Sequence, residues 1–210
     1  MKNILTTILC CMCISTINAQ KVIERHMDFT QKKNVILNIQ IADSIRIITW
    51  NKNEVYLKAS VDVNDNKNND DYKFTFNEST GNIDVSAKFD FKKMEKECNC
   101  NCETKIYCDV FIPENAGLSV ETINGNIIIS GKTAEIKAHS ISGFVDLTLS
   151  PDRKADFKLN TISGTIYSNI SMNTTNSRSA TTSIIDRYNG GGTPIDIETI
   201  SGDIFFRKAE

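Results

Sequence analysis

Apolar and polar residues alternate with a period of two over most of this chain, and four stretches repeat that alternation in the same frame around a glycine. They are Thr122-Ile123-Asn124-Gly125-Asn126-Ile127, Ser140-Ile141-Ser142-Gly143-Phe144-Val145, Thr161-Ile162-Ser163-Gly164-Thr165-Ile166 and Thr199-Ile200-Ser201-Gly202-Asp203-Ile204. Upstream of the glycine, Leu118, Ile136, Phe157 and Ile195 share one position, and Val120, Ala138, Leu159 and Ile197 share the position two residues later. Between and after them come Ser119, Lys137, Lys158 and Asp196, then Glu121, His139, Asn160 and Glu198. Successive side chains of a strand point to opposite faces, so each stretch reads as a strand with one dry and one wet face. Beyond the glycine, Ile127, Val145, Ile166 and Ile204 resume the inward phase, with Asn126, Phe144, Thr165 and Asp203 outside.

A glycine between two such strands is expected to turn a sharp corner at positive φ, where a Cβ is costly, so Gly125, Gly143, Gly164 and Gly202 are the structural corners. The unit is strand, corner, strand. It recurs at about 20 residues with one double-length interval, the spacing of stacked repeats. Equivalent positions carry the same residue type in every copy, which favours coils stacked in register over internally paired hairpins. The chain is therefore expected to be all-β, with residues 115–210 a β-solenoid resembling a parallel β-helix; an antiparallel β-sandwich is the alternative. Stacking predicts a buried corner ladder of Ile123, Ile141, Ile162 and Ile200, each contributing about 1.5–3 kcal/mol of burial. The interval between Gly164 and Gly202 is expected to hold a degenerate coil and a loop, because Asn173 to Ser183 is rich in Thr, Ser and Asn. Gly190-Gly191-Gly192 cannot be regular strand.

Residues 20–114 alternate less regularly. Val35, Leu37, Ile39 and Ile41 form one run; Ile45 and Ile47, then Val55, Leu57, Ala59 and Val61, form others, and Ile106, Cys108, Val110 and Ile112 lead to Pro113. Asp62 to Asp71 and Lys92 to Glu97 read as polar loops. Phe74, Phe76, Gly81, Ile83 and Val85 fit the glycine frame with Ser79 in place of the corner isoleucine, as a diverged coil would. This N-terminal β region is expected to be continuous with the array.

Ahead of it, Lys2 followed by an apolar stretch from Ile4 to Ile17 and the small residue Ala19 has the form of an export signal spanning 1–19. Export places the chain in the periplasm, on the outer-membrane surface or outside the cell. Four cysteines of the exported part, Cys98, Cys100, Cys102 and Cys108, are candidates for two disulfides; buried or free thiols and a metal site are the other readings. The 210 residues are 40% hydrophobic, and 24 basic residues nearly balance 26 acidic ones, so no basic stripe exists to hold nucleic acid. No second apolar run is long enough to span a membrane.

No nucleophile elbow, phosphate loop or zinc-helix motif occurs, and neither His26 nor His139 has a catalytic setting, so neither an enzymatic site nor a cofactor is expected. His139 is expected to be flanked by Glu121 and Asn160 on the wet face. Phe144, Tyr167 and Phe205 fall on the outward phase just past the corners, where an aromatic strip could stack on sugar rings or bury a partner surface. Trp50 beside Asn51-Lys52-Asn53 is expected to cap the first strand layer.

The Thr-Ile-Ser-Gly-(Asp/Thr)-Ile unit, the segment Ile48-Thr49-Trp50-Asn51-Lys52-Asn53-Glu54-Val55, and the run from Asn189 through Ile204 resemble the bacterial putative-adhesin family. That family is a domain of unknown function with β-strand repeats of about twenty residues and a recurring Gly-Asp. This chain keeps Gly-Asp only at Gly202-Asp203. The resemblance implies a non-enzymatic exported adhesin or envelope-associated binding module whose partner is a surface ligand, a glycan or an envelope protein. A polysaccharide lyase-like enzyme using Lys137, Lys158 and Asp196, and a self-assembling structural module, are the competing readings.

Overall fold

Where apolar residues alternate in this chain, the backbone is extended. The computed structural model describes residues 20–90, 103–172 and 182–209. In order, its strands are β1 (Lys21–Asp28), β2 (Asn34–Ile39), β3 (Ile41–Trp50), β4 (Glu54–Val63), β5 (Tyr72–Glu78), β6 (Asn82–Phe89), β7 (Thr104–Pro113) and β8 (Gly117–Ser130). They are followed by β9 (Ile136–Ser142), β10 (Val145–Leu149), β11 (Ala155–Thr161), β12 (Ile166–Ser168), β13 (Thr182–Tyr188), β14 (Thr193–Ser201) and β15 (Ile204–Lys208). A 3-10 turn (Asn69–Asp71) is the one helical element among the described residues.

All strands belong to one 15-stranded mixed sheet that does not close on itself. It bends at the glycine corners into two walls. The first runs β5, β6, β2, β8, β9, β14, β11, β13. The second runs β1, β4, β7, β3, β8, β10, β15, β12. Long β8 serves both, pairing β2 and β9 before its corner and β3 and β10 after it. The inward faces meet in one core, where the rings of Phe157 (β11) and Phe206 (β15) lie 4.7 Å apart. At the opposite end the Arg25 guanidinium of β1 lies 5.8 Å from the Phe76 ring of β5.

The glycine-aligned columns are real neighbours. Leu118 pairs with Ile136, Ile136 with Ile195, and Ile195 with Phe157, all in parallel register. The spatial order of the repeat segments is not the chain order, however, because β14 lies between β9 and β11. Asn189, Gly190 and Gly191, at φ of 51°, 84° and 87°, turn the chain back across the start of β11. There the Gly192 and Thr193 amides donate to the Asp156 carboxylate and the Lys154 carbonyl at 3.1 and 3.2 Å.

Four expectations are corrected. Residues 72–89 form an antiparallel hairpin, β5 on β6, turned at Gly81 with φ +88°, and not a diverged coil. In the long interval, β13 pairs antiparallel with β11, so it is not a degenerate coil. Of the four corner glycines only Gly143 has positive φ, at 128°. Ile123, Ile141, Ile162 and Ile200 are 48%, 39%, 50% and 38% exposed, not buried. Their phase explains this: Leu118, Val120 and Thr122 point inward, so Ile123 must point out.

Candidate functional site

What the corner buries is a hydroxyl. Thr122, Ser140, Thr199 and Thr161 are 0–4% exposed, and each donates toward a carbonyl of the coil beneath: Gln40, Gly125, Gly143 and Gly202, at 3.4, 3.4, 3.2 and 2.9 Å. The glycines let these coils approach. A Cβ on Gly143, Gly202 or Gly164 would lie 2.2, 2.1 or 1.9 Å from the carbonyl oxygen of Gly125, Gly143 or Gly202. Close approach therefore replaces positive φ as the reason for glycine at three of the four corners.

This stacking sets the positions just past the corner on the outer face of the second wall. Phe144, Phe205 and Tyr167, expected on that face, come together there. Phe205 lies edge-to-face with Phe144 at 5.7 Å and stacks on Tyr167 at 5.2 Å with 13° between planes. Phe205 stands between the other two because β15 lies between β10 and β12. Tyr167 is 48% exposed, and among the described strands β12 pairs only with β15. Beneath the ring, Arg207 lies 5.9 Å from the Phe205 centroid and forms a two-pronged ion pair with Asp146. Asp203 accepts the Thr165 amide at 2.8 Å. Farther along the face the charges are paired: Arg46 with Asp109 at 2.6 Å and Lys58 with Glu24 at 2.9 Å. The hydrogen bond and charge of Asp109 hold Arg46 above its usual pKa, and Lys58 holds Glu24 below its own.

A second aromatic group on this face was not anticipated. Trp50, Tyr56 and Phe111 have ring centroids 5.3–6.3 Å apart, His26 lies 4.5 Å from Tyr56, and Lys52 sits 4.4 Å over Trp50. The Trp50 indole donates to the Glu54 carbonyl at 2.7 Å, so it closes the β3–β4 turn. Tyr56 and Phe111 fall between the inward residues of their strands, but only the antiparallel pairing of β4 with β7 makes them neighbours.

On the first wall, His139 stands between Glu121 and Glu198, not Asn160, because β14 is inserted. Lys137, Asp196 and Lys158 do form a ladder, with Lys158 Nζ 3.7 Å from Asp196. Cys108 is a fully buried thiol on β7, and burial pushes its pKa up to about 12; Cys98, Cys100 and Cys102 lie outside the described residues. Among the described residues no cluster of three or more His, Cys, Asp or Glu could hold a metal. No described helix is long and apolar enough to cross a membrane.

No family model matches this chain, and no curated protein sequence does. Solved structures do. The chain is similar to the crystal structure of a putative cell adhesion protein from Clostridium sporogenes, with TM-score 0.57 and 10% identity over 91% of this chain and 100% of the other. A putative adhesin from Bacteroides fragilis matches over 91% of this chain and 99% of its own, at 11% identity, with a TM-score of only 0.29. The first likeness is one of fold.

Proposed function

We propose that this chain is a non-enzymatic, exported binding module of the adhesin type, which holds a surface glycan against the row Phe144–Phe205–Tyr167. One observation carries the reading: three aromatic residues from separate segments converge on one outer face, beside a polar rim of Asp146, Arg207 and Asp203. A core needs no rings there. Sugar rings present apolar faces edged with hydroxyls, and a half-exposed ring such as Tyr167, whose far side borders no described strand, offers a stacking surface beside hydrogen-bonding groups. The fold shared with the Clostridium sporogenes protein, whose name links it to cell adhesion, fits this reading.

The same proposal takes residues 1–19 as a cleaved export signal, 20–114 as an irregular β region and 115–210 as stacked solenoid-like coils. It also keeps Cys98, Cys100, Cys102 and Cys108 as candidate disulfide cysteines, a pairing that mass spectrometry with and without reductant tests. Glycan and cell-wall arrays probed with the purified protein test the function. Binding that falls at least about tenfold in Tyr167→Ala and Phe205→Ala is expected, as for truncated aromatic anchors. Absence of glycan or cell-wall binding would overturn it.

A further inference from the structure

Among the four repeats, glycine and the isoleucine two residues before it are the only positions filled identically in every copy. The glycine has its reason in close coil contact. The isoleucine is not part of the core, and much of its surface faces solvent. Ile123, Ile141, Ile200 and Ile162 lie on successive coils in that spatial order, each 38–50% exposed. Strand propensity alone would be met by valine or threonine. Single exposed isoleucines are ordinary, but an unbroken row of four, each 38–50% exposed, is the kind of contiguous apolar patch that marks interaction sites. We propose that this isoleucine ridge docks a cationic amphipathic helix of a polypeptide partner, a site separate from the glycan face and independent of that reading.

Spacing and charge select this occupant. Neighbouring ridge residues are about 4.8 Å apart, the distance between strands. Apolar residues on one helix face recur every three or four positions, a rise of about 4.5–6 Å, and so keep step with four isoleucines over roughly ten residues. An extended peptide repeats its same-face side chains at about 6.6–7 Å and falls out of step. On the first wall the ridge is bordered by Glu121 and Glu198, one row away, and a groove of about 190 Å3 lined by these two, His139, Asp196 and Lys137 runs beside it. Asp203 lies on the other border. Among the described residues the nearby cations are engaged elsewhere, Lys137 with Glu135, Lys158 with Asp196 and Arg207 with Asp146. The rim is thus net acidic. It would repel both a second copy, whose own glutamate rows would meet it, and anionic lipid headgroups. Lysines flanking a leucine stripe would instead be attracted.

Fluorescence anisotropy with the full chain and a labelled 14-residue helical peptide, leucines at every third or fourth position and lysines between, tests this. Saturable binding is expected, weakened at least about tenfold by Ile141→Ser/Ile200→Ser and about threefold by Glu121→Gln/Glu198→Gln. A peptide with glutamate in place of lysine should not bind. The isoleucine variant should keep its melting temperature and its glycan binding, so the two readings fail separately; should it not fold, the glutamine variant still decides. The proposal is overturned if the lysine peptide does not bind, or if a scrambled peptide of equal composition binds as well. It is equally overturned if the glutamine variant binds unchanged, or if the ridge substitutions abolish self-association or vesicle binding while peptide binding is untouched.

Discussion

At the level of single residues, the corner inverts the usual division of labour, with a hydroxyl buried and an isoleucine exposed. Thr199 is fully buried because the Gly143 carbonyl accepts its proton, so the polar group is satisfied in the core. Replacing it by valine leaves that geometry intact but removes the bond, and a loss of about 1–2 kcal/mol in urea unfolding is expected. Gly164→Ala is expected to cost more, above about 3 kcal/mol, because the clash at 1.9 Å is with backbone that cannot swing aside. Strict alternation already placed Thr122 inside and Ile123 outside; expecting isoleucine to be buried by type overrode the phase. Cys108 adds a pH dependence. Its pKa is raised by burial from 9.0 to about 12, so the folded state binds a proton that the unfolded state releases. Its contribution is therefore complete below about pH 9 and lost as pH rises toward 12. Denaturation midpoints should fall across that window and fall less in Cys108→Ala, in a background where Cys98, Cys100 and Cys102 are serine.

At the level of strands, what period and glycine frame can specify is face and register, and both hold in β8 to β12, β14 and β15. Leu118, Ile136, Ile195 and Phe157 occupy one row because identical spacing to the corner makes any other register misalign all the inward residues. Pairing order is another matter. Strands with interchangeable patterns are compatible with several neighbours, and the turn at Asn189–Gly192 decides among them only in three dimensions. The aromatic row shows the same division. Outward phase marked Phe144, Tyr167 and Phe205 from their spacing, but chain order would have set Tyr167 in the middle, where the fold sets Phe205. β13 and the β5–β6 hairpin carry no glycine frame, so their direction was illegible. Position within the wall should be visible in energetics. Ile197, at 0% exposure on central β14, should lose about 3–5 kcal/mol on truncation to alanine, whereas Ile184, at 6% on edge strand β13, should lose about 2. Parallel chemical denaturation of the two variants measures the difference.

At the level of the whole molecule, the inserted strand sets this fold apart from a stack of repeats in chain order. In a stack built in chain order each unit touches only its sequence neighbours, so removing the last unit costs one interface and leaves the rest folded. Here the last unit, β14 and β15, lies between β9 and β11 on one wall and between β10 and β12 on the other. Without it, β11, β12 and β13 have no attachment to the rest of the sheet, and β9 and β10 are left with bare inner edges. Long connections must also close before these contacts form, which makes folding slow and completes it only when the C-terminal residues are available. A chain ending at Asn189 should therefore lose far more than the deleted strands. Its hydrogen exchange should show protection retained in β1 through β8, weakened in β9 and β10, which still pair with β8, and lost in β11 to β13, while removal of edge strand β1 alone should leave β9 to β15 protected. Protection of β11 and β13 in the C-terminally shortened chain would mean that the coils hold together in chain order, contrary to the pairing of Ile195 with both Ile136 and Phe157.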